Sequence, residues 1–148
     1  MPATIDESAF YRATRGHRHP ECWVCAPDCG VGLAVRFEAG PNGAVEGIFS
    51  CPEEFTGYPG FLHGGVTSSL LDGAMTNCLM AHGKPGLTAR LEVRFLNPVQ
   101  IGKSAVVRAW LEKTRGSLSI LGAELSQDGA VLATAVGKFM DYPEEPTT

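Results

Sequence analysis

Between Phe61 and Met75 the chain reads FLHGGVTSSLLDGAM, and this stretch holds residue types and spacings that could do chemistry. Gly64 and Gly65 open an apolar segment that follows a loop. The first amides of a helix have no internal partner. They point at whatever precedes the helix, and the helix dipole favours negative charge there. Glycine lets a ligand approach such a backbone closely. Together these meet the requirement for an oxyanion site in acyl transfer. Taken bare, the glycine pair reads more simply as a tight turn or close packing, and its context between a loop and an apolar helix is what points to a site. Asp72 is the second element. From Gly64 to Ala81 it is the only carboxylate, and no Lys, Arg or His accompanies it. At helical spacing Gly65, Ser69, Asp72 and Thr76 form a small, polar stripe on an otherwise apolar helix. Such a stripe could face water or line a ligand site.

The spacing carries a geometric consequence. Gly65 and Asp72 share nearly one face but lie about 10.5 Å apart along a helix axis. An oxyanion donor and a base or nucleophile must both reach one carbon. One helix cannot bring its own two residues together in this way. Two copies packed antiparallel about a two-fold axis can, so a catalytic role for both residues predicts a homodimer with two shared sites.

A second cluster lies upstream in HRHPECWVCAPDCG, with His17, His19, Cys22, Cys25 and Cys29. Cys-x-x-Cys with further soft ligands is zinc-like spacing, but the second paired knuckle is missing. The reading adopted is reduced thiols that help an N-terminal lid to pack on the sheet. No metal or other cofactor is expected, and a structural zinc is the alternative. Cys51 and Cys78, in apolar contexts, read as small core residues.

These residues need elements to hold them. The first 20 or so residues are polar, a short helix plus an arm. LAVRF (33–37) and AVEGIFS (44–50), separated by turn residues, read as a hairpin. CPEEFTGYPGF is a loop. The helix runs from Gly64 to about His82, with Gly83 as a C-cap and Pro85 blocking continuation. TARLEVRFLNP alternates, with Leu91, Val93 and Phe95 on one face and Arg90, Glu92 and Arg94 on the other. Three further strands follow, and short turns make them an antiparallel meander. The expectation is an α+β domain, with a long central helix wrapped by an antiparallel sheet of about six strands. Residues 1–30 form the arm, 31–140 the domain and 141–148 a polar tail.

Composition narrows the function classes. The 148 residues suit one domain, and 44% hydrophobic with 19% charged residues suits a soluble globular core. A net charge of -4 argues against non-specific nucleic-acid binding. No apolar run is long enough to span a bilayer. The N-terminus lacks a secretory pattern, and five cysteines without one read as cytoplasmic thiols.

Taken in order, LHGGVTSSLLDGAM, PGLTARLEVRFLNPVQIGK and the meander resemble the hotdog-fold acyl-CoA thioesterases. The resemblance is to the His-Gly-Gly branch, which includes phenylacetate-pathway and 4-hydroxybenzoyl-CoA-type enzymes, over about residues 30 to 140. It implies that the Gly65 amide, helped by Gly64, polarises a thioester carbonyl. It implies that Asp72 of the partner chain is the general base or the nucleophile. His63 would shape the loop, and Thr88 would position water. Phe55, Tyr58 and Phe61 are candidate walls of the acyl pocket. Arg90 and Arg94, with Lys84, Lys103, Arg108 and Arg115, are candidate partners for coenzyme A phosphates. The implied assembly is a homodimer or a dimer of dimers. Many relatives carry Asn or Gln where this chain has Gly57. A hydratase or dehydratase, and a non-catalytic acyl-CoA-binding protein, are the alternatives. A hydratase wants an acid and a catalytic His in one site; His63 could pair with Asp72, but the hydratase-type acid-then-His spacing is absent.

Overall fold

A computed structural model describes residues 7–142, so 1–6 and most of the polar tail, 143–148, lie outside the described residues. The order is α1 (Glu7–Arg18), β1 (Phe37–Ala39), β2 (Val45–Phe49), α2 (Gly64–Ala81), β3 (Gly86–Phe95), β4 (Ala105–Arg115), β5 (Leu118–Gln127) and β6 (Ala130–Asp141). Helix α2 is apolar around most of its circumference. Such a helix cannot lie on a surface and must be enclosed. Leu70, Leu71, Ala74, Met75 and Cys78 are completely buried. One six-stranded antiparallel sheet, ordered β1-β2-β4-β5-β6-β3, packs against it.

The meander β4-β5-β6 is as expected, with tight turns at 116–117 and 128–129. Gly116 and Gly129 supply the left-handed turn positions, with φ of 56° and 80°. β6 then pairs with β3, which closes the order and leaves β3 at one edge. Asp141 is the last residue of β6 and not the start of a tail.

Two expectations are corrected. LAVRF does not form the first hairpin strand, because β1 starts only at Phe37. Ala34 has a φ of 52°, which interrupts an extended run. The amides of Leu33 and Val35 bond instead to the carbonyls of Trp23 and Val24, at 2.8 Å each. The second correction concerns β3. Its alternation predicts one apolar face, yet Leu91 and Phe95 are exposed along with Arg90, Glu92 and Arg94.

The N-terminal segment packs mainly on α2 and not, as expected, on the sheet, and it is part of the core. Tyr11, Val24 and Cys25 are buried in the same cluster as α2. The Tyr11 hydroxyl donates to Asn77 Oδ1 at 2.6 Å, and Asn77 Nδ2 donates to the Gly73 carbonyl at 2.7 Å. Gly73 is what lets the segment approach. A Cβ there would lie 2.6 Å from Val24 Cγ1. Cys51 and Cys78 are buried core thiols, as their contexts predict.

Candidate active site

The loop before α2 is pinned by backbone. The amide of Gly57 bonds to Phe61 O at 2.9 Å, that of Leu62 to Val99 O at 2.8 Å, and that of His63 to Phe55 O at 2.9 Å. His63 is the N-cap, with extended backbone at φ -58° and ψ 131°. Its Nδ1 accepts from the Gly65 amide at 2.9 Å. A capping side chain of this kind satisfies one of the orphan donors at a helix start. This gives His63 a definite task, and it also engages the amide read from sequence as the main oxyanion donor. The Gly64 amide has no hydrogen-bond partner among the described residues. It is therefore the free donor at this helix start. Thr56, Gly57, Tyr58, Phe61, Leu62, His63 and Gly64 line an open cleft of about 470 Å³. Of the three aromatics expected as walls, Tyr58 and Phe61 line it. Phe55 does not, and packs on Phe49 with ring centroids 5.8 Å apart. A Cβ at Gly57 would lie 3.1 Å from the His63 Cα. The loop is thus closed tightly over the place where an Asn or Gln side chain would emerge.

Asp72 lies two turns along α2, half-buried like Ser69, with the buried Thr76 one turn further along the same stripe. Thr88, near the start of β3, donates its hydroxyl to Asp72 Oδ1 at 2.7 Å. The pairing of Thr88 with Asp72 is brought about by β3 running past the flank of the helix. Burial pushes the Asp72 carboxyl above the ordinary carboxylate range, and the Thr88 hydrogen bond opposes that shift. Cys22 adds to the rise and His19 counters it. A carboxylate raised by desolvation and held by one hydroxyl is suited to taking a proton from water. The His/Cys segment therefore lies within electrostatic reach of the aspartate, a proximity that spacing alone did not reveal. Asn77, the buried amide that ties α1 to α2, was also missed. Its signal was present as a polar residue within the helix's apolar half.

The phosphate candidates are scattered. Arg90 and Arg94 follow Thr88 on β3, both exposed, and Arg90 lies 3.8 Å from Glu92. Lys84 pairs with Asp141 at 3.5 Å, Lys103 pairs with Asp128, and the Arg108 guanidinium lies over the Trp110 ring at 5.5 Å. Among possible metal ligands, His19, Cys22 and Cys25 bring one donor atom each within 4.8 Å of one another.

A buried helix packed against a six-stranded antiparallel sheet, with glycines at its start and an aspartate on its flank, defines the class of hotdog-fold proteins. The thioesterase superfamily model matches residues 59–134, and the chain belongs to that family. Acyl-coenzyme A thioesterase 13 of Mus musculus is 32% identical over 92 residues, 61% of this chain and 66% of the relative. The chain thus spans just under two thirds of that relative's length. The phenylacetic acid degradation-related protein of Ralstonia eutropha JMP134 is 26% identical, with a TM-score of 0.72 over 88% of this chain and 98% of that one. The PaaI protein of the E. coli phenylacetic acid degradation operon shares the fold at 15% identity, with a TM-score of 0.78 over 92% and 96% of the two chains.

Proposed function

We propose that this protein hydrolyses acyl-CoA thioesters at sites shared between two copies of the chain. The carrying observation is the half-buried Asp72 carboxylate, held at 2.7 Å by the Thr88 hydroxyl in a family of thioesterases. The mouse relative is named for the same activity. In this reading the thioester carbonyl lies at the helix start of one copy, where the free Gly64 amide donates to the developing oxyanion. The Gly65 amide joins it when His63 Nδ1 releases its bond. Asp72 of the other copy takes a proton from the attacking water, or attacks the carbonyl itself. A thioester is already an activated acyl donor, so an oxyanion donor and one placed carboxylate suffice.

The second copy is supported by the edge strand. β3 presents Leu87, Leu91 and Phe95 to solvent on a strand with one unpaired edge. A long edge strand with exposed apolar residues is a surface that proteins cover. Covering it with another β3 would also bring a second α2 alongside. Within such an assembly the cleft of Tyr58 and Phe61 takes the acyl group, and Arg90 and Arg94 face the coenzyme A phosphates. All five cysteines are free thiols, which supports a reducing compartment such as the cytoplasm. No helix among the described residues is long and apolar enough to cross a membrane.

The test is a hydrolysis assay over short, aromatic and long acyl-CoAs with wild type and Asp72→Asn in parallel. The expected outcome is a loss of at least about a hundredfold in kcat, the lower range for removing a general base. Wild-type rates in the variant on every substrate would refute the assignment.

A further inference from the structure

We propose that His19, Cys22 and Cys25 form a zinc site that ties the end of α1 to the turn packed on α2. This goes beyond the hydrolytic reading and does not depend on it. The three donor atoms all lie within 4.8 Å of one another, and His19 Nδ1 is 3.8 Å from Cys25 Sγ. Zinc bonds of about 2.3 Å to sulfur and 2.0–2.1 Å to nitrogen, at tetrahedral angles, set ligand atoms roughly 3.5–3.8 Å apart. The cluster is therefore already close to the spacing a tetrahedral ion requires. Its chemistry is selective. Two thiolates and an imidazole suit zinc and not magnesium or calcium.

The backbone shapes this spacing. The chain continues from α1 with the His19 amide on Arg15 O at 2.7 Å. It then turns so that the Ala26 amide reaches Cys22 O at 2.9 Å. One guanidinium donor faces Cys25, the more deeply buried of the two sulfurs. Arg15 Nη1 lies 4.0 Å from Cys25 Sγ and 3.5 Å from Cys25 O. Hydrogen-bond donors of this kind commonly support zinc thiolates. The sequence left five candidate ligands, and the fold selects three. Cys29 falls outside the cluster, with its Sγ placed against Gly32. Binding of the ion releases the two thiol protons to solvent, leaving a neutral Zn(Cys)2(His) unit with its fourth position for water. The ion ties the end of α1 to the turn that carries Val24, the residue packed on Gly73 of α2.

The experiment uses the full chain, metal-stripped and kept under a non-thiol reductant, titrated with Co2+ and then with Zn2+. Expected are thiolate-to-cobalt charge-transfer absorption and tetrahedral visible bands that saturate at one ion per chain. One equivalent of Zn2+ should bleach them and raise the melting temperature. Cys22→Ser and His19→Ala, at half-exposed positions, should each lose the tetrahedral bands and the thermal shift. Cys29→Ser and His17→Ala should bind as wild type. Absence of the bands in wild type, their survival in Cys22→Ser and His19→Ala, or their loss in Cys29→Ser would overturn the site.

Discussion

At the scale of single residues, the aspartate and its hydroxyl partner set the pH behaviour. Burial raises the Asp72 carboxyl above its ordinary value, while Thr88 pulls it back down. The active form is the carboxylate, so kcat/KM should fall as pH drops through this raised value. The acid limb should lie above the range of a free aspartate, about 3.9. Thr88→Val removes the hydroxyl that favours the charged form. Its acid limb should therefore move to higher pH, with kcat at the alkaline plateau reduced by less than in Asp72→Asn. A pH–rate series on both proteins checks this, and an unmoved limb in Thr88→Val would sink the assigned coupling. The sequence made Asp72 conspicuous because one acid in an apolar helix is costly without a reason. The capping bond from Gly65 to His63 was not legible, since it depends on a side-chain rotamer that spacing does not determine.

At the scale of elements, the lid meets α2 through Val24 and Gly73, next in sequence to Asp72. Gly73 permits that contact by lacking a Cβ, which would otherwise lie 2.6 Å from Val24. Gly73→Val should force the lid away and destabilise the fold by about 1–3 kcal/mol, the usual cost of overpacking a filled interface. Thermal or denaturant unfolding measures the loss. Hydrogen exchange should show it concentrated in residues 20–35. Helix α2 could be read from the sequence because its apolar run is too long for a strand and stops at Gly83 and Pro85, and the meander because alternation and turn residues agree there. The stretch Leu33–Val35 could not. Its alternation is that of a strand, but its hydrogen bonds go to Trp23 and Val24, partners ten or more residues away on a non-strand segment.

At the scale of the whole molecule, β3 explains why the alternating pattern of its sequence finds no buried face within one chain. Leu91 and Phe95 are core residues of a larger body in the proposed assembly, and a single chain leaves them exposed. This is a difference that a sequence cannot announce, because periodicity signals burial without saying against what. The shared site makes a sharper claim, and subunit mixing tests it. Gly64→Pro removes the free amide at the first helical position, where proline fits best. The preceding His63, at φ -58° and ψ 131°, already has the conformation that proline demands of its predecessor. This variant should fold normally yet lose about 10²–10³ in kcat, the cost of one oxyanion donor. Asp72→Asn should be inactive for a different reason, the loss of the carboxylate. When the two are unfolded together and refolded in equal amounts, about half the dimers should be mixed. Each mixed dimer holds one site with an intact Gly64 from one copy and an intact Asp72 from the other. Roughly a quarter of wild-type activity should return. If glycine and aspartate served one site within a single chain, no pairing of the two variants could restore it, and the mixture would stay as inactive as its parts.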